Sequence, residues 1–231
     1  MHHELEVLPT EADVAARAAT HVAARAREAV ADHGTFTFAV SGGHTPWAMF
    51  AELASEDMPW EQVVIFQVDE RMAPPDDPDR NLHHLRDALA SAPARVVAMP
   101  VEAPDPAEAA SWYAERLPDG FDLVHLGLGP DGHTASLVPG DPVLDVADRL
   151  VAVTGGTYQG RHRMTLTYPA LARARRLLWL VTGESKQPAL AKLFAGDTSI
   201  PAGRVHAGAS LVMADAAAAN GLAPPDAGAG A

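Results

Sequence analysis

The sequence predicts one doubly wound α/β domain, a mainly parallel sheet with helices on both faces, and three observations predict it. Strand-like and helix-like segments alternate along most of the chain, which implies right-handed crossovers between parallel strands. No linker or shift in composition divides the chain before Gly221. The 231 residues fit one large domain, and a hydrophobic content of 48% is ample for a packed core.

The first element is an amphipathic helix over 10–33, with Thr10 as N-cap, Asp13 at the capping-box position and Gly34 closing the end. Residues 35–41 then read as a strand from alternation and β-propensity. The pattern repeats as helix 46–55, strand 62–69, helix 81–90, strand 95–99, helix 106–116 and strand 121–127. A loop-rich middle follows, with a strand at 150–154, a short one near 164–167 and a helical turn at 168–174. A strand at 176–182, a helix at 184–194, a strand at 209–213 and an alanine helix complete the domain, which spans residues 1–221. The Ala/Gly/Pro-rich tail, 222–231, is expected to be disordered.

Composition excludes several classes of function. The formal charge of −13 disfavours a nucleic-acid partner, which needs a basic face. It also means that an anionic ligand must be met by local cations working against the global field. No apolar run approaches the ~18 residues of a membrane span. The start Met1-His-His-Glu lacks the regions of a signal peptide. The absence of cysteine rules out disulfides, zinc-thiolate sites and a cysteine nucleophile. A cytoplasmic location is the expectation.

In doubly wound sheets ligands bind beyond the carboxyl ends of the strands, and four expected strands end in polar loops. Ser41-Gly42-Gly43-His44-Thr45-Pro46 allows close backbone approach, with Thr45 placed to cap the next helix and Pro46 at its first position. It reads either as an ordinary capped turn or as a phosphate cradle. Asp69-Glu70-Arg71 follows a buried strand: a solvated strand end, or Arg71 forking onto an anion beside a balancing acid. Gly127-Leu-Gly-Pro-Asp-Gly-His133 presents Asp131 and His133 two positions apart on a glycine-framed turn, suited to proton handling. Thr182-Gly-Glu-Ser-Lys186 puts a lysine in the first turn of a helix, where the macrodipole disfavours a cation unless an anion is bound. Arg161-His162-Arg163 adds a basic cluster before a strand, and His125 reads as a core histidine. The eleven histidines show no metal-ligating spacing such as H-x-x-x-H, and no G-x-S-x-G elbow is present.

Taken together, Ser-Gly-Gly-x-Thr-Pro, Asp69-Glu-Arg71 with Asn81, Gly-Leu-Gly-Pro-Asp-Gly-His-Thr-Ala-Ser, Arg163-Met-Thr-Leu-Thr and Thr-Gly-Glu-Ser-Lys186 closely resemble the 6-phosphogluconolactonases. The motifs keep that family's order over roughly residues 35–195. The wider superfamily includes glucosamine-6-phosphate deaminase, but the continuation Thr134-Ala-Ser136 fits the lactonase form. The resemblance implies hydrolysis of 6-phospho-D-glucono-1,5-lactone in the oxidative pentose phosphate pathway, with no cofactor. It implies His133 as general base with Asp131 orienting it. Ser41, Gly42, Gly43, Thr45, Asp69, Arg71, Arg163 and Lys186 would line the phosphate and lactone site. Two residues depart from the family pattern: His44 replaces a common serine, and Arg80 before Asn81 adds a cation expected near the anion-binding side. A 6-sulfogluconolactone hydrolase, a deaminase-type isomerase using Asp69 on a C2 proton, and a non-catalytic sugar-phosphate sensor remain as other readings.

Overall fold

A computed structural model describes residues 2–89 and 92–222. Its main sheet has seven strands, all paired in parallel: β1 (Glu4–Leu8), β2 (Phe36–Val40), β3 (Val63–Gln67), β5 (Arg95–Val97), β6 (Leu123–Gly127), β9 (Arg176–Val181) and β10 (Ala209–Asp215). Their order across the sheet is β1-β10-β9-β6-β2-β3-β5. A second, antiparallel sheet joins β4 (Asp69–Arg71), β8 (Arg163–Leu166) and β7 (Val151–Val153), in that order.

Helices cover both faces of the main sheet. Helix α1 (Glu11–His33) carries the expected capping box, with Thr10 and Asp13 bonding reciprocally and Gly34 ending the helix. Its apolar face is a stripe of alanines and valines from Val14 to Ala29, small enough to bring it close to the sheet. With α2 (His44–Leu53) and α3 (Asn81–Ala88) it buries Phe36, Phe38, Val40, Ile65, Leu123, Leu178 and Leu180. The alternate side chains, among them Phe66, Val124, Leu126 and Trp179, meet the other layer. That layer contains α4 (Pro106–Ala114), α5 (Tyr168–Leu171), α6 (Gln187–Phe194), α7 (Ala216–Ala219) and the small sheet.

The predicted α/β class holds, with two corrections. β1 was not anticipated: it is an edge strand of five residues, paired only with β10. The segment expected as one strand over 62–69 splits between β3 and β4, so the chain changes sheets at Val68. Apart from Leu222, the expected tail lies outside the described residues. Among the described residues no helix is long and apolar enough to cross a membrane.

Candidate active site

From β2 the chain steps outward through β3 to β5, then returns to β6 and proceeds the other way. The crevice beyond the carboxyl ends of β2 and β6 is therefore the switch point of the sheet. A cleft of about 470 Å³ opens there, and all four polar loops reach it. Ser41, Gly42, Gly43, Thr45, Asp69, Arg71, His133, Arg163 and Lys186 line it, and Asp131 stands behind His133.

The turn after β6 is tied by Gly129 N–H to the carbonyl of His133 (2.8 Å) and Gly132 N–H to that of Gly129 (2.9 Å). It folds so tightly that a Cβ on Gly129 would fall on the His133 ring and the Asp131 carboxylate. Asp131 Oδ1 accepts the backbone N–H of His133 at 3.1 Å and lies 2.5 Å from its Nδ1. Burial pushes the Asp131 carboxyl up, but the backbone and ring bonds from His133 outweigh it and leave the group below its usual range. An ionised Asp131 puts the proton on Nδ1, so Nε2 is the nitrogen without it.

Tyr158 completes this cluster. Its hydroxyl lies 3.4 Å from Asp131 Oδ2 and 3.3 Å from His133 Nδ1, and the two rings are 5.0 Å apart. Burial, then the charge of Asp131, raises the phenol pKa, keeping it a neutral donor.

Three cations surround the cleft. Arg71 commits Nη1 to the carbonyl of Asp79 (2.6 Å) and to Asn81 Oδ1 (2.7 Å). Arg163 is buried at the start of β8 and lines the cleft. Its Nη2 donates to Gln159 Oε1 at 3.0 Å, its Nη1 is 3.8 Å from Asp69, and its guanidinium stands over the Tyr158 ring. Burial lowers its pKa and Asp69 offsets part of that. The third, Lys186, ends a one-turn 3-10 helix directly before α6, and no carboxylate among the described residues approaches within 4.0 Å. Burial lowers its amine pKa, against the pull of Asp131.

Several expectations need correction. The run 69–71 is not a solvated strand end. Asp69 accepts the Ser136 hydroxyl at 2.6 Å, and Glu70 has no exposed surface. Of the two acids beside Arg71, Glu70 does not face the cleft; it accepts the backbone N–H groups of Arg71, Asn81 and Leu82 and so caps α3 from outside. The cation of Arg80 does not face the cleft: it is buried, bonded to Glu102 (2.6 Å) and the carbonyl of Ala73 (2.9 Å), with Glu70 at 3.3 Å. Thr45 does not cap α2, which begins one residue earlier with Gly43 as its cap. Its hydroxyl donates to Glu11 at 2.7 Å, and the exposed His44 ring meets the same carboxylate at 2.9 Å. The bond from His44, then that from Thr45, holds the Glu11 carboxyl below its usual range.

Sequence reasoning missed Glu11, Tyr158 and Gln159 among the lining residues. The tyrosine had one signal: Thr-Tyr-Gln is bracketed by Gly155-Gly156 and Gly160, an aromatic held on a glycine loop. Glu11 had none, because it looks like an ordinary acidic first turn of α1.

The chain matches the family described as glucosamine-6-phosphate isomerases/6-phosphogluconolactonase over residues 9–213. It is 39% identical to a 6-phosphogluconolactonase of Synechocystis over 209 residues, 84% of this chain and 86% of the relative. A solved 6-phosphogluconolactonase structure from Shewanella baltica superposes with a TM-score of 0.85 at 25% identity, over 93% of this chain and 98% of that one. A monomeric glucosamine-6-phosphate deaminase shares the fold (TM-score 0.83) at 20% identity, over 94% and 98% of the two chains. With its glycine-framed Asp131–His133 turn at the sheet's switch point, the chain belongs to the glucosamine-6-phosphate isomerase/6-phosphogluconolactonase family.

Proposed function

We propose that this enzyme hydrolyses 6-phospho-D-glucono-1,5-lactone to 6-phospho-D-gluconate, the second step of the oxidative pentose phosphate pathway. The reading is carried by one observation: the 2.5 Å Asp131–His133 contact, on a cleft lined by Arg71, Arg163 and Lys186. His133 Nε2 takes a proton from water as its oxygen attacks the lactone carbonyl. The carbonyl π electrons move onto oxygen, giving a tetrahedral oxyanion that a nearby cation stabilises. Collapse of this intermediate breaks the bond to the ring oxygen, which receives the proton from the imidazolium. Asp131 keeps the ring in the required tautomer, and Tyr158 holds Asp131.

Arg71 reaches Asn81, against which Gly42 packs, and this favours Arg71 with the loop 41–43 for the phosphate. Lys186 feels the charge of Asp131, which favours it for the oxyanion. The Thr45 hydroxyl, donated to Glu11, acts by shaping the loop rather than by donating to the anion. Asp69 as the C2 base of a deaminase is disfavoured, because its Oδ2 is already engaged by the Ser136 hydroxyl at 2.6 Å with Arg163 at 3.8 Å.

The test is turnover of the lactone with spontaneous hydrolysis subtracted. His133→Ala should lose about 10²–10⁴-fold in kcat. Wild-type turnover in that variant refutes His133 as the base, and ammonia release from glucosamine 6-phosphate supports the deaminase. Saturable binding of 6-phosphogluconate without turnover supports a sensor. A preference for the 6-sulfo lactone moves the assignment to that substrate.

A further inference from the structure

We propose that His125 is a positioning residue for the anion-binding loop: by accepting the backbone N–H of Ser41 it sets the loop's direction and thereby the affinity for the substrate's phosphate. The proposal rests on the reading of residues 41–43 as the phosphate cradle.

His125 sits inside β6 with no exposed surface, on the same sheet face as Leu123 and beneath the layer of α1, α2 and α3. An aliphatic residue would suit that place. The ladder between β2 and β6 has only two paired positions, Phe38 with Leu123 and Ala39 with Val124. On its other side β2 continues further, and the carbonyl of Val40 accepts the N–H of Val68 from the β3 side. Since successive carbonyl and N–H groups of a strand point to opposite sides, the N–H of Ser41 faces β6. There it meets His125 Nδ1 at 3.3 Å. The histidine thus takes over where the ladder stops and the two strands part to form the crevice.

An acceptor Nδ1 requires a neutral ring with its proton on Nε2. That Nε2 is buried and has no partner among the described residues. A buried unmet donor lowers stability, so the fold gains nothing from this imidazole that leucine would not supply. What the imidazole does supply is a fixed Ser41. With the N–H directed inward, the Ser41 hydroxyl lies at the cleft wall, buried and without a partner among the described residues. Gly42 is held from the other side, where a Cβ would strike the Asn81 amide. The loop is therefore gripped by His125 at one residue and by Asn81 at the next.

The test compares His125→Leu, His125→Gln and His125→Asn with wild type. Readouts are kcat and KM on the phosphorylated lactone, the Kd of 6-phosphogluconate, the melting temperature and hydrogen exchange at the Ser41 amide. His125→Leu should melt at or above the wild-type temperature. Its KM and Kd should weaken about three- to ten-fold, with kcat within about two-fold and Ser41 exchange accelerated. Gln, long enough to present a carbonyl to Ser41, should recover most of the affinity; Asn, too short, should not. If the leucine variant fails to fold, the Gln–Asn contrast decides. Wild-type Kd in His125→Leu, or equal behaviour of Gln and Asn, overturns the proposal. A wild-type protein that binds 6-phosphogluconate no better than gluconate overturns the phosphate reading of the loop, and the proposal with it.

Discussion

Glu70 and Arg80 face each other 3.3 Å apart, and neither side chain reaches solvent. Arg80 also bonds Glu102, and Glu70 also accepts Gln67 Nε2 and three backbone N–H groups, so the pair is the hub that fixes β4 against α3. In Glu70→Gln the arginine keeps only Glu102, and a neutral amide stands where a carboxylate accepts four N–H groups. The variant should therefore lose about 1–3 kcal/mol in urea unfolding. Arg71 leaves β4 from the next position, so KM should rise as well. An unchanged unfolding midpoint would contradict this account of the pair.

Tyr158 makes a subtler contribution. Its hydroxyl shares the Asp131 carboxylate with His133. In Tyr158→Phe the Asp131 carboxylate loses this donor and the turn loses a tie across the Asp131–His133 pair. Turnover of the lactone should then fall about two- to ten-fold in kcat with KM little changed. A kcat equal to wild type would mean that the hydroxyl does not act on the pair.

Three histidines, two of them buried and His21 half-buried, make stability pH-dependent. Burial lowers the pKa of His3 and His21 to about 4 and that of His125 to about 3, from an ordinary 6.5. Below pH 6.5 the unfolded chain binds protons that the folded one refuses, so stability present above that pH is lost as pH falls toward 4. Melting temperatures should be flat from about pH 7.5 to 6.5 and fall progressively below. His125→Leu should fall less steeply. Parallel curves for the two proteins would show that His125 is not protonated on unfolding in this range.

Gly129→Ala should be a nearly pure activity variant. The added methyl displaces the His133 ring and Asp131 without touching the core. A shift of about 1 Å at reacting groups is worth on the order of a hundredfold in rate. Steady-state kcat and a melting curve measured together check this; a large fall in melting temperature would place the damage in the fold instead.

The parts legible in the sequence are those where local chemistry decides. Thr10, Asp13 and Gly34 mark the ends of α1 because capping is a matter of adjacent residues. Loops 41–45, 69–71, 127–133 and 182–186 were visible because polar residues interrupt apolar runs at strand ends. Their convergence followed from the parallel topology. The unreadable parts depend on distant partners. Glu70 looks exposed until Arg80 and the N-terminus of α3 are folded over it. The small antiparallel sheet is built of strands of only three or four residues, too short to show a period. Nothing in a histidine's neighbours along the chain announces that its Nδ1 will meet Ser41, 84 positions away.

Asp131 and His133 share one short turn, whereas Arg71, Arg163 and Lys186 arrive on β4, β8 and the turn before α6. On the proposed reading, catalytic competence is thus a local property and affinity a collective one. That separation would let the grip drift toward a different anion while the turn of Asp131 and His133 stays as it is.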